Sequence, residues 1–320
     1  MHFLCGCSDM LSQFGLKTHV YVLANNGVHV SGDNGRSWEK IRDNSDMIAD
    51  NTGRIFARNG SVYAAGGNLA VSGISILERG SDTWTTTTTE DGPFPWTPTG
   101  LFVDNRGVIF VSSQASGLYI STDMGTTFLR IYDNGVVCVY SDGDTVYAGG
   151  RNDSNNNATI WRLDYAGSLQ GAVLDLGFDG TVNDIDIKND MIYAATEDDA
   201  GNGYLYASDT DNIVWQQLCN NNGPFLDVTA QEQKIYVTAY NAWDAGIVIF
   251  RSGVGITISP EDTLESNACT RIAIDSRKTN IYVVSDNKLC ISYNDIHDWH
   301  TKTSLDGPVS WVYDVFVERD

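Results

Sequence analysis

Eight residues in a fixed order, Ser31-Gly32-Asp33-Asn34-Gly35-Arg36-Ser37-Trp38, return later in the chain as Ser121-Thr122-Asp123-Met124-Gly125-Thr126-Thr127-Phe128. Their chemistry dictates a tight turn. Asp33 and Asp123 can accept hydrogen bonds from backbone N–H groups ahead of them. Gly35 and Gly125 supply a positive φ that other residues reach only with strain. Trp38 and Phe128 then follow as apolar anchors for a strand. Each octet stands behind a β-like run, so the chain must contain hairpins closed by this turn.

A second repeat sets the size of the unit. A triplet of a β-branched residue, an aromatic, and a β-branched residue or alanine is centred at Tyr21, Tyr63, Phe110, Tyr147, Tyr193, Tyr236 and Tyr282, with steps of 37 to 47 residues. Repeats of this length built from strands read as four-stranded blades around one axis. Each unit has an alternating first strand, such as Asp184-Ile185-Asp186-Ile187, then a turn and the aromatic triplet. A polar loop, a third strand such as Gly203-Tyr204-Leu205-Tyr206, and a fourth opened by an aromatic such as Trp215 complete it. Alternation suits half-buried strands, because successive side chains face opposite sides.

The ends of the chain complement each other. The first unit lacks a first strand before His19, and Trp311-Val312-Tyr313-Asp314-Val315-Phe316-Val317 reads as a first strand with no unit after it. The expected fold class is therefore all-β: a seven-bladed β-propeller of four-stranded antiparallel blades, closed by the C-terminal strand pairing in blade one. Such closure leaves no open edge at the seam. The blades fall near 19–42, 54–89, 100–131, 136–176, 182–218, 225–258 and 269–302, with the closing strand at 311–318, in a single domain over 1–320.

The octets resemble the Asp-box, or BNR repeat, of sialidase-like β-propellers. The resemblance implies a structural role at the rim of the lower face for Ser31, Asp33, Gly35, Trp38, Ser121, Asp123, Gly125 and Phe128. It also implies an upper face made of the loops between second and third strands and the links between blades. The Arg-Ile-Pro motif of sialidases is absent, because Arg54-Ile55 is followed by Phe56. The chain is also similar in size and blade count to the Asp-box ring that assists photosystem II assembly, but it lacks that protein's basic patch. Its richness in Asn, Asp, Thr, Gly and Tyr is similar to that of phage tail and baseplate propellers, which implies a virion or extracellular-surface location.

Charge narrows the partners. With 41 acidic and 20 basic residues the formal net charge is −21, which repels phosphate backbones and anionic bilayers. Neither nucleic-acid binding nor membrane insertion is expected. No apolar run is long enough to span a bilayer, and Met1 to Met10 lacks the pattern of a secretory signal. Of six cysteines, Cys138 and Cys290 lie in apolar runs and suit small hydrophobes. Cys5 and Cys7 have no second pair at metal spacing.

Counting back from each repeat aromatic reaches the start of each first strand. Those positions hold Arg54, Leu101, Cys138, Asp184, Asp227 and Arg271, with Asp314 added by closure. Three carboxylates and two guanidiniums are thus expected around the channel mouth. The upper loops add Trp96, Tyr240, Trp243 and Asp244, exposed aromatics beside a carboxylate that suit sugar stacking or a protein contact. With Arg54 and Arg271 they form the expected binding set. No cofactor is expected, although the Asp/Asn loops could hold calcium through oxygen ligands. No phosphate loop, metal set or nucleophile elbow is visible. The reading is a non-enzymatic module docking protein or glycan. The alternative is a glycoside hydrolase using Asp184, Asp227 and Asp314 as catalytic carboxylates.

Overall fold

The computed structural model describes residues 18–41, 53–67, 71–91, 94, 97–171, 173–231, 234–240, 246–251, 254–258, 268–275, 280–294, 297–302 and 311–318, without side chains at 254–258, 294, 297 and 298. The arrangement is all-β and propeller-like. Among the described residues there are five four-stranded antiparallel sheets and one seven-stranded sheet.

The repeated triplet is the second strand of each unit, and its alternation explains the architecture. In His19–Ala24, Val20 and Val22 pack against the Asn280–Ser285 and Lys288–Asn294 strands of the last unit. Tyr21 and Leu23 point the other way, into a cluster with Ile55, Val62 and Ala64 of the next unit. The same division holds at every repeat: the flanking residues pack backward, and the central aromatic packs forward. A strand buried on both faces must be apolar throughout, which is why these triplets carry no charge. Among the described residues seven apolar clusters result, each shared by two neighbouring units. The last of them, built on Val20, Tyr282 and Val315, joins the end of the chain to its beginning.

Closure occurs through Val312–Glu318, which pairs antiparallel with His19–Ala24 from His19 opposite Glu318 to Ala24 opposite Val312. This strand begins at Val312. Trp311, expected as its first residue, instead adopts φ 71° and stands outside it.

One expected boundary is missing. In place of seven separate four-stranded sheets, Leu174–Lys188 runs as one strand through two units. Its first part pairs with Asn157–Leu163 and its second, from Gly180 on, with Met191–Asp198. Hydrogen bonds tie the crossover to the neighbouring segment 155–157. Asp175 accepts hydrogen bonds from Asn155 Nδ2, Asn157 Nδ2 and Gly177 N, while Gly180 N donates to Asn156 O.

The two octets form the same turn. Ser31 Oγ donates to Asp33 Oδ1 and accepts from Gly35 N, and Ser37 donates to Asp33 through both its N–H and its hydroxyl. Ser121, Asp123, Gly125 and Thr127 repeat each bond. Gly35 and Gly125 have φ 80° and 82°. A Cβ at either would also strike an isoleucine of the preceding unit, Ile291 or Ile76. Trp38 and Phe128 both pack against that preceding unit.

Candidate functional site

The first strands lie innermost and follow one another in a closed cycle around a central cavity of about 360 Å³. Arg54, Leu101, Cys138, Asp184, Asp227, Arg271 and Asp314, the seven residues expected at the channel, all line it. Five sit directly after an extra residue that has no partner on the adjacent strand. These extra residues are Val137, Asn183, Leu226, Thr270 and Tyr313. A bulge of this kind re-aims the next side chain and bends the strand. Its recurrence at one level of the ring turns Cys138, Asp184, Asp227, Arg271 and Asp314 inward together. Arg54 and Leu101 need no bulge and pair regularly with Ala65 and Val111.

The carboxylates have a shared job. The inner strand of a unit is hydrogen-bonded on one side only, so the other edge offers unpaired N–H groups. Asp184 Oδ2 accepts from Val228 N at 3.0 Å, Asp227 Oδ2 from Ile272 N at 2.7 Å, and Asp314 Oδ2 from Ile55 N at 2.8 Å. In each case the carboxylate reaches forward into the next unit. Asp186 does the same to Ala230 N and Glu318 to Gly60 N.

Their protonation follows from where they sit. Burial pushes Asp314 up to about 6, against the pull of the Arg54 charge and two backbone N–H bonds. Arg271 Nε stands 3.8 Å from Asp314 Oδ1. Burial raises Asp184 and Asp227 as well, and the two carboxyls hydrogen-bond to each other. Burial, and then the Asp184 charge, raise Asp227 well above the ordinary carboxylate range. The thiol of Cys138, enclosed beside them, is also pushed well up by burial.

Other expected residues lie elsewhere. Tyr240 is 50% exposed on the upper face, where its N–H donates to Pro224 O. Trp96, Trp243 and Asp244 fall outside the described residues, as do Cys5 and Cys7. Phe94, from the same expected loop as Trp96, is buried and packs edge-on to Phe128. Sequence reasoning missed Trp311, which is 56% exposed where the chain enters the closing strand. Nothing in its local sequence distinguishes it from a strand residue. In the Asp/Asn loops, Asp198 accepts from Ala200 N, Asn202 N and the Tyr204 hydroxyl. Among the described residues no three His, Cys, Asp or Glu side chains gather as metal ligands.

No protein-family profile and no curated protein sequence matches the chain. Solved structures do. A protein from Bacteroides uniformis, provisionally assigned as a 6-phosphogluconolactonase, superposes with a TM-score of 0.68 at 14% identity, covering 94% of this chain and 99% of that one. A chain of a nidogen–laminin complex gives a TM-score of 0.55 at 13% identity, covering 94% and 98%. At such identities these likenesses show the fold alone, and that fold is β-propeller-like.

Proposed function

We propose that this chain is a seven-bladed β-propeller with Asp-box turns that works as a non-enzymatic docking module, binding protein or surface glycan through its upper face. Seven blades follow if Leu174–Lys188 is counted twice, as the outermost strand of one blade and the innermost of the next; its divided pairing supports that count. The Asp-box reading is supported by the two identical hydrogen-bond networks.

The observation that carries the non-enzymatic reading is the commitment of the channel carboxylates. Asp184, Asp227 and Asp314 each hold a backbone N–H of the neighbouring unit. Asp184 and Asp227 also hydrogen-bond to each other, so neither stands alone as a nucleophile or an acid. Exposed Tyr240 and Trp311 supply aromatic contact area on the upper face. A virion or cell-surface setting rests on composition.

A glycan array and a glycoside-hydrolysis screen test this together. The expected result is binding without turnover, weakened about tenfold by Tyr240→Ala or Trp311→Ala, in line with the loss of one aromatic contact. Turnover that Asp184→Asn abolishes would replace the reading with the hydrolase alternative.

A further inference from the structure

The ring order divides the cavity mouth into three arcs of different chemistry. Arg271, Asp314 and Arg54 are consecutive, Leu101 and Cys138 follow, and Asp184 with Asp227 completes the circle. The first arc carries positive charge that is incompletely matched. Arg54 makes no hydrogen bond or ion pair among the described residues, and its charge acts on Asp314 and Asp184 only through space. Arg271 Nε has no hydrogen-bond partner either. The second arc is apolar. The third is a pair of acceptors held rigid, since backbone N–H groups pin one oxygen of each.

We propose that this mouth is a receptor for a small zwitterion with an apolar side chain, of the size and kind of a free aliphatic amino acid. The ligand carboxylate sits on Arg54, its ammonium on Asp184 and Asp227, and its side chain against Leu101 and Cys138. A neutral sugar would bring no anion to the Arg54 guanidinium, and a peptide terminus carries only one of the two charges required. The cavity of about 360 Å³ lies at the small end of the range for ligand pockets. Charges further down the channel, Arg58, Asp186 and Lys188, flank the site without entering the three arcs. The arriving ammonium donates hydrogen bonds to both carboxyls, and any proton that the pair holds leaves to solvent.

The inference does not rest on the docking reading. Its test is calorimetry of the full chain with L-leucine, 3-methylbutylamine and 4-methylpentanoate at neutral pH, in two buffers of different ionisation enthalpy. The expected result is saturable leucine binding with release of up to about one proton per ligand, and at least about tenfold weaker binding of both single-charge analogues, since each forfeits a charge-assisted contact. Arg54→Gln and Asp227→Asn should each weaken leucine about tenfold or more. Asparagine retains an oxygen for Ile272 N–H, and Leu101→Trp provides a second block that leaves every charge in place. Absence of leucine binding overturns the proposal, as does equal binding of all three probes or leucine binding indifferent to both Arg54→Gln and Leu101→Trp. Tyr240→Ala should leave leucine binding unchanged, so the two readings fail separately.

Discussion

At the scale of single residues, the two octet turns are a natural comparison of sequence against strain. Both demand two successive residues at positive φ: Asn34 at 64° before Gly35, and Met124 at 60° before Gly125. Asparagine tolerates the left-handed region through local hydrogen bonding, whereas methionine pays the full steric cost of about 1–2 kcal/mol. Met124 is 45% exposed and contributes little packing in return. Met124→Asn should therefore stabilise the protein by about 0.5–1 kcal/mol, measured by urea denaturation. An unchanged or lower midpoint would show that the turn is not strained there.

At the scale of elements, the inner strands carry the architecture. A free strand edge facing a channel leaves N–H groups that water or a partner must satisfy. Here acidic side chains do so, each bridging two units whose residues are more than forty positions apart, as Asp184 to Val228. Asp314 is the most heavily committed, accepting from Ile55 N and Val315 N with Arg271 beside it. Asp314→Ala should cost about 1–3 kcal/mol, the penalty for stranding a buried donor, and Asp314→Asn should recover part of that loss. Equal stability of the alanine variant and wild type in chemical denaturation would sink the bridging role.

At the scale of the whole molecule, ring closure and charge set the response to pH. Asp314, Asp184 and Asp227 bind protons more tightly folded than unfolded, because burial raises them above the ordinary 3.8. The native state therefore holds extra protons between that value and about 6, and stability falls as pH rises through this window. Surface carboxylates act in the opposite sense. Asp123 is held low by the Thr127 hydroxyl and N–H, and Asp198 by the Asn202 side chain, so their contribution is lost only as pH drops below the ordinary carboxylate value. The net charge of −21 also repels itself less when protons are added. The melting temperature should be a few degrees higher, ~2–4 °C, near pH 5 than near pH 8. Asp227→Asn should reduce that difference. A thermal scan showing greater stability at pH 8 would contradict the buried-acid account.

What could be read from the chain by itself was whatever is local or periodic. The octet turns were legible because every partner of Asp33 and Asp123 lies within four residues. The seven triplets were legible because burial on both faces forces apolar residues at each repeat. Counting back from them even located the seven cavity residues, since a strand has fixed rise and period. Other features depended on how distant segments meet. The bulges that turn five cavity residues inward are single unpaired positions that leave no mark in composition. The meeting of Asp184 and Asp227, the unbroken strand from Leu174 to Lys188, and the outward turn of Trp311 all arise from neighbours brought together only when the ring closes. Short-range hydrogen bonding and side-chain alternation are properties of a sequence; the distance between two carboxyls on different sheets is a property of the assembled ring.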